Sequence, residues 1–207
     1  MQNLVIIGAG GFGREVLAWA RMGLPHCAIR GFIDDNPAAG SDPRLRAPIL
    51  GTVQTYEPKP DDVFLCALGR PGLRQTLSEK IKARGGRFAT LVHPAALVAE
   101  GAVVEEGVII CPFALVSSDA CVMEGSSIYY HASVDHDAVV GRWSQISAHC
   151  DITGGARLGE RVFMGSHAVV LPLVTVGDDA VVGAGAVVTS GVPAGATVVG
   201  VPARQKI

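Results

Sequence analysis

A six-residue repeat runs without a slip through the second half of this chain and restricts what it can fold into. Every sixth residue from Val98 is aliphatic or Met: Val98, Val104, Ile110, Val116, Val122, Ile128, Val134, Val140, Ile146, Ile152, Leu158, Met164, Val170, Val176, Val182, Val188. Four positions after each sits a residue no larger than Val, from Ala102 and Val108 to Val192. A helix has a period of 3.6 and a simple strand a period of 2, so neither produces this pattern. Short strands wound into a triangular coil do, with one large apolar residue per side filling the interior and a small one near each corner. Three hexads make one turn of about 18 residues, so the series predicts about five turns of a hexapeptide β-helix. At strand spacing that prism is roughly 25 Å tall.

The repeat accounts for the composition. Glycine is abundant, 26 of 207 residues, and only 5% are aromatic. The mean hydropathy of +0.37 raises the question of a membrane, but no 18-residue apolar run exists, and Gly, Asp, Glu and Arg punctuate the repeats. The leading Met1-Gln2-Asn3 lacks the basic region of a secretory signal. Five cysteines without a C-x-x-C pair (Cys27, Cys66, Cys111, Cys121, Cys150) read as reduced thiols of a cytoplasmic protein. With 17 basic and 19 acidic residues the net charge of −2 argues against nucleic acid as the main partner.

Before about residue 93 the pattern changes, which places domains at 1–93 and 94–207. Leu4–Ile7 reads as a buried strand, followed by Gly8-Ala9-Gly10-Gly11-Phe12-Gly13 and a helix over Arg14–Met22 with an apolar stripe at Val16, Leu17 and Ala20. Strands follow at Ile29–Ile33 and Val63–Leu68, then a helix from Pro71 carrying Leu73, Leu77 and Ile81 and stopped by Gly85-Gly86. Phe88–Val92 reads as a last strand. Alternating strands and helices imply a small parallel α/β sheet. About 90 residues is half of a full dinucleotide-binding fold.

The glycine loop lies between strand and helix, where backbone N–H groups at a helix start can receive phosphate oxygens. Asp34, and Asp35 beside it, end the second strand, where a carboxylate accepts hydrogen bonds from a ribose or a base edge. With the second mononucleotide half missing, the loop reads as a site for a nucleotide diphosphate rather than NAD. In the coil, His131, Asp135, His136 and Asp137 fall within seven residues. A histidine beside a carboxylate is suited to taking a proton near neutral pH, and either Asp135 or Asp137 can orient the ring. His131, His149 and His167 are 18 residues apart, so they should stack on successive turns, as a solvated ladder, a groove wall or a metal column.

The whole chain resembles the bacterial nucleotide-amino-sugar acetyltransferases: N-acetyltransferases of UDP-linked 4-amino sugars and of GDP-perosamine, and the related sialic acid O-acetyltransferases. The resemblance rests on Ile6–Glu15, Gly31–Pro37, Leu91–Ala96, Val134–Gly141, Val182–Val188 and Val199–Ala203. It implies a half-Rossmann-like α/β domain that binds a nucleotide sugar, followed by an all-β left-handed parallel β-helix that assembles as a homotrimer. It implies acetyl transfer from acetyl-CoA to the amine of a nucleotide-linked 4-amino-4,6-dideoxy sugar for surface polysaccharide or glycan biosynthesis, without a metal. By the same resemblance His136 is the general base and Asp137 its partner, while Gly8, Gly10, Gly11, Gly13, Arg14, Asp34 and Asp35 hold the substrate. Gln145, Gly154, Gly155, Gly165, Ala184 and Pro202 line the path of acetyl-CoA along the outside of the coil. Phe12, Gln145 and the pair Tyr129-Tyr130 depart from the residues that many relatives carry, which bears on the sugar contacts.

Three alternatives stand beside this reading. Sialic acid O-acetylation keeps the fold and changes the acceptor. A zinc-dependent carbonic-anhydrase-like protein would use the His131-x4-His136 spacing between chains. A nonenzymatic nucleotide-sugar sensor would leave the His136 cluster without a role.

Overall fold

The computed structural model describes residues 1–206 and divides into two units, Met1–Leu91 and Val92–Ile207. In the first unit β1 (Gln2–Ile7), β2 (Cys27–Ile33), β3 (Asp62–Cys66) and β4 (Arg87–Phe88) form a parallel sheet in the order β2-β1-β3-β4. Helices α1 (Gly11–Gly23) and α2 (Pro71–Lys82) supply crossovers. Leu4 to Ile7 and Val63 to Cys66 are buried without alternation, as expected of parallel strands covered on both faces.

Three sequence expectations change here. Helix α1 begins at Gly11, three residues before the expected start. Glycine disfavours helix by about 1 kcal/mol relative to Ala, so sequence reasoning left the loop glycines outside. Tertiary packing overrides that preference: a Cβ on Gly13 would lie 2.0 Å from the carbonyl oxygen of Gly8. The expected strand Phe88–Val92 divides into β4 and β5 (Leu91–Val92), because Phe88 pairs with Phe64 while β5 joins a sheet of the coil. In α2 the buried face carries Arg74, Ser78 and Ile81. Leu73 and Leu77 instead line a cavity.

The second unit is a parallel β-helix. Sixteen two-residue strands, β6 (Leu97–Val98) to β21 (Val187–Val188), recur every six residues. The second residue of each is the aliphatic of the hexad series. From Ile110 to Val188 all of these are buried, and they join with the small corner residues in one continuous core. Each strand pairs in parallel with the strand 18 residues away, as at Ser133↔Asp151 and Val134↔Ile152. This yields sheets of five, eight and six strands. Among the corner residues, Ser126 and Ser144 are buried and satisfied: their hydroxyls donate to Gly141 O (2.8 Å) and Gly159 O (3.0 Å).

The turns explain the regularity. The third residue after each inward aliphatic has positive φ at all fifteen positions from Gly101 to Gly185. Ten of these are not glycine, His131, Asp137, His149 and His167 among them, with φ between 56° and 64°. For an L-residue this conformation costs about 1 kcal/mol. In seven of the ten it turns the N–H toward the preceding coil, where it finds a carbonyl 19 residues back: Asp137 N to Ser118 O (3.2 Å), His149 N to Tyr130 O (3.2 Å), Leu173 N to Gly154 O (3.1 Å). An unmade buried hydrogen bond costs as much or more.

The coil continues beyond the sixteenth hexad. Val192, expected at a corner, takes the inward position and bridges Val176, and β22 (Thr197–Val199) pairs with β20 (Val181–Val182) at a spacing of 16. The final turn is therefore two residues short. An antiparallel strand, β23 (Arg204–Gln205), covers the edge of β22, which blunts a sheet end that would otherwise be free to pair.

The register predicts a contrast between neighbours in β16 (Arg157–Leu158). Leu158→Ala should lower stability by about 2–5 kcal/mol. Arg157→Ala, on the exposed side, should change it by less than about 0.5 kcal/mol. Urea unfolding of the two variants measures the difference.

Candidate active site

In the first unit the glycine loop is built from opposed requirements. Gly8 has φ +95°, and a Cβ there would strike the side chain of Leu68 and the carbonyl of Ala67. Gly13 packs on the Gly8 carbonyl. Gly10, by contrast, has ordinary φ as the N-cap of α1 and faces open space, as Gly11 nearly does. The open glycines border a polar cavity of about 360 Å³, lined also by Arg14, Asp34, Asn36, Asp42 and Arg44. The first turn of α1 itself holds no acidic side chain, so the helix supplies no anion of its own at its positive end.

Two guanidiniums converge at this cavity. Arg14 Nη1 lies 2.8 Å from Asp42 Oδ2, and Arg44 grips the same carboxylate through Nε (2.8 Å) and Nη2 (2.9 Å). Hydrogen bonds from Arg44, side chain first and backbone second, hold the Asp42 carboxyl down to about 2. Sequence reasoning found Arg14 but missed Asp42, Arg44 and Asn36. Only the turn-forming composition around Asp42-Pro43 marks that segment, and nothing local says that it folds over the glycine loop.

Asp34 is held by hydrogen bonds within the chain. Its Oδ2 accepts the N–H of Ala9 (2.7 Å) and its Oδ1 that of Asn36 (2.8 Å). It ties the second strand to the glycine loop. Asp35 Oδ1 accepts the N–H of Val53 (2.7 Å). Both carboxylates border a second cavity, of about 190 Å³, whose other walls are Ile7, Gly8, Ile33, Val53, Leu68, Leu73 and Leu77. An apolar slot with carboxylates at its edge suits a flat heterocycle with N–H donors.

On the coil, His136 sits in the turn between β12 (Ser133–Val134) and β13 (Val139–Val140). Its Nδ1 is 2.8 Å from Asp137 Oδ2, which selects Asp137 over Asp135 as the hydrogen-bonding partner. This arrangement leaves Nε2 to act on another molecule, with 69% of the side chain exposed. The hydrogen bond that the ring makes to Asp137 raises the imidazole above its ordinary value, and the charges of Asp137 and Asp135 act in the same direction. The bond depends on the positive φ of Asp137, 62°, which the repeat imposes.

His131, His149 and His167 stack as the spacing required, with centroids 5.0 and 4.7 Å apart and planes within 8° and 4°. Phe113 extends the stack at 5.1 Å from His131, and Tyr130 meets His131 and His149 edge-on. Ring lone pairs lie in the ring planes, so parallel imidazoles of one chain do not converge on a common ion. His131 follows β11 (Ser127–Ile128) and His136 follows β12, which belong to different sheets. Among the described residues no group of three or more His, Cys, Asp or Glu is arranged to hold a metal.

Of the residues expected along the cofactor path, Ala184 and Pro202 are exposed and Gly154 and Gly155 are partly so. Gln145 and Gly165 are not presented in this way. Gln145 is only 3% exposed, on β14 (Gln145–Ile146), where its ladder neighbours Ser127 and Ile109 are buried as well. Gly165 is buried. Its N–H donates to Val182 O (2.8 Å), its carbonyl accepts from Ala168 N and Cys150 Sγ, and a Cβ would meet the Ala184 nitrogen. Its missing side chain serves close packing of successive turns.

A Rossmann-like unit with a phosphate-competent loop, joined to a hexapeptide β-helix that displays an exposed His–Asp pair, defines a class of acyltransferase. Residues 3–81 match the PglD N-terminal domain. Over 128 residues the chain is 32% identical to UDP-N-acetylbacillosamine N-acetyltransferase of Bacillus subtilis (strain 168), covering 53% of this chain and 51% of the relative. It thus spans about half the length of the curated relative it matches. The acetyltransferase domain of PglB from Neisseria gonorrhoeae FA1090, solved with acetyl coenzyme A, superimposes with a TM-score of 0.90 at 30% identity, covering 99% of each chain. PerB from Caulobacter crescentus, solved with CoA and GDP-perosamine, also gives 0.90 at 30% identity, covering 100% of this chain and 98% of that one. This chain belongs to the nucleotide-amino-sugar acetyltransferase family. Among the described residues no helix is long and apolar enough to cross a membrane.

The His136–Asp137 geometry makes a prediction of its own. An NMR titration of the His136 ring should show a midpoint above the ordinary imidazole value, and Asp137→Asn should bring it down, because the partner that favours the charged form is removed.

Proposed function

We propose that this protein transfers the acetyl group of acetyl-CoA to the amine of a nucleotide-linked 4-amino-4,6-dideoxy sugar destined for a surface glycan. The observation that carries the reading is the His136–Asp137 pair, 2.8 Å apart, with Nε2 left for substrate. The sugar amine attacks the thioester carbonyl carbon while Nε2 takes its proton. The tetrahedral intermediate collapses, the C–S bond breaks, and coenzyme A leaves as a thiol on receiving a proton back from the imidazolium. Asp137 fixes the tautomer with the proton on Nδ1 and stabilises the charged ring.

In the same reading the first unit holds the nucleotide. The diphosphate lies against Gly10 and Gly11 at the start of α1, with Arg14 and Arg44 alongside, since a helix N-terminus with two guanidiniums is a strong anion site. The base enters the apolar slot, where the Oδ2 of Asp35 accepts from a ring N–H. The acyl donor runs along the outside of the coil past Ala184 and Pro202. The N–H of Ala184 has no hydrogen-bond acceptor among the described residues and can bond to an amide of the pantetheine arm. We place the cofactor groove between neighbouring chains of a homotrimer, which light scattering tests directly.

Gly10→Val should block the phosphate approach without disturbing the fold, because a side chain there meets nothing within 4 Å. It should raise the KM for the nucleotide sugar and leave that for acetyl-CoA little changed. His136→Ala should lower kcat by about 10²–10⁴-fold. Thiol release in the presence of UDP-, dTDP- and GDP-linked 4-amino sugars and free sialic acid identifies the acceptor. Turnover with sialic acid alone would replace the N-acetylation reading, and undiminished turnover by His136→Ala would remove the proposed base.

A further inference from the structure

The imidazole of His136 rests on a glycine. A Cβ placed on Gly154, one turn below, would lie 2.8 Å from both Cε1 and Nε2 of the His136 ring and 3.5 Å from its Cδ2, its three nearest contacts. Gly154 has no positive φ, unlike its neighbour Gly155 at +67°. Its backbone would therefore accept an L side chain without strain. Backbone conformation does not demand a glycine at this position; the ring above it does.

We propose that Gly154 is a positioning residue for acyl transfer, its bare Cα forming the seat that keeps the His136 ring on Asp137 with Nε2 aimed at substrate. The proposal rests on the reading of His136 as the base. It gives Gly154 a role other than a backbone contact to the cofactor. A methyl at 154 forces the near edge of the ring away by about 0.7 Å to reach ordinary carbon contact. The ring is the far end of a flexible side chain, so it swings aside and the fold is retained. The same swing breaks its alignment with Asp137 Oδ2, because Nδ1 and Nε2 belong to one rigid plane. Misplacement of a catalytic group by about 1 Å costs as much as 10²-fold in rate.

The test is a cycle of four enzymes: wild type, Gly154→Ala, His136→Ala and the double variant. Saturation kinetics with acetyl-CoA and the accepted sugar nucleotide are combined with an NMR titration of the His136 ring. Gly154→Ala should lower kcat by about 10–10²-fold while the KM for acetyl-CoA stays within about twofold. It should move the His136 midpoint down toward the ordinary imidazole value, and it should cost nothing further in the His136→Ala background. An unchanged kcat with a raised KM for acetyl-CoA would make Gly154 a cofactor contact and overturn the proposal. An equal loss in both backgrounds would make the residue merely structural, with the same result. If His136→Ala itself turns over normally, the base reading fails, and an unmoved midpoint in Gly154→Ala would then sink the positioning role on its own terms.

Discussion

The structure of the second unit depends on the hydrogen bond between one turn of the coil and the turn before it. Strand residues bond to partners 18 positions away, and the positive-φ corner residue reaches back 19. The corner bond sets the backbone at every third position after the inward aliphatic, whatever side chain is there. Ten non-glycine residues accept the unfavourable conformation, and seven of them make this bond. Once the corners are fixed, every side chain has an assigned direction, inward, outward or along the edge. The core, the stacked imidazoles and the exposed His136 all follow from one backbone rule applied repeatedly.

Glycine serves several purposes within this scheme. Gly13 exists so that α1 can pack on the Gly8 carbonyl, and Gly165 so that two turns of the coil can approach. Gly10 faces open space, whereas Gly154 leaves space for another residue of the same chain. A helix start with open glycines is chemically useful because its first N–H groups point out of the helix and its first turn carries no acidic side chain. The two guanidiniums held by Asp42 then add positive charge without closing the loop over itself. A carboxylate between two arginines keeps both in place at neutral pH, and it releases them only when the acid range is reached.

The His136 pair operates under a different balance. Both partners are exposed, so solvent weakens their mutual attraction and the bond contributes little to folding. Its importance is directional. Asp137 is one residue away in sequence, and in an extended strand the two side chains would point to opposite faces. The left-handed turn at Asp137 brings both to the same side of the corner. The conformation that the coil requires for its hydrogen bonds thus also assembles the His136–Asp137 pair.

The sequence by itself determined the coil, the inward residues, the stacking of His131, His149 and His167, and the crossover pattern of the first unit, because each depends on periodicity that a chain displays locally. It also marked the cluster of His131, Asp135, His136 and Asp137, since neighbouring His and Asp need no partner from elsewhere to be noticed, and the family resemblance picked His136 from that cluster. Tertiary structure decided what local pattern cannot express. It chose Asp137 over Asp135 through a φ angle, and it turned Asp34 inward onto Ala9. It brought Asp42 and Arg44 to the glycine loop from a segment without regular structure, faced Leu73 and Leu77 into a cavity, and buried Gln145 and Gly165. In each case the deciding partner is distant in the chain or one full turn away, where a hydrogen bond or a steric contact acts and sequence spacing carries no trace of it.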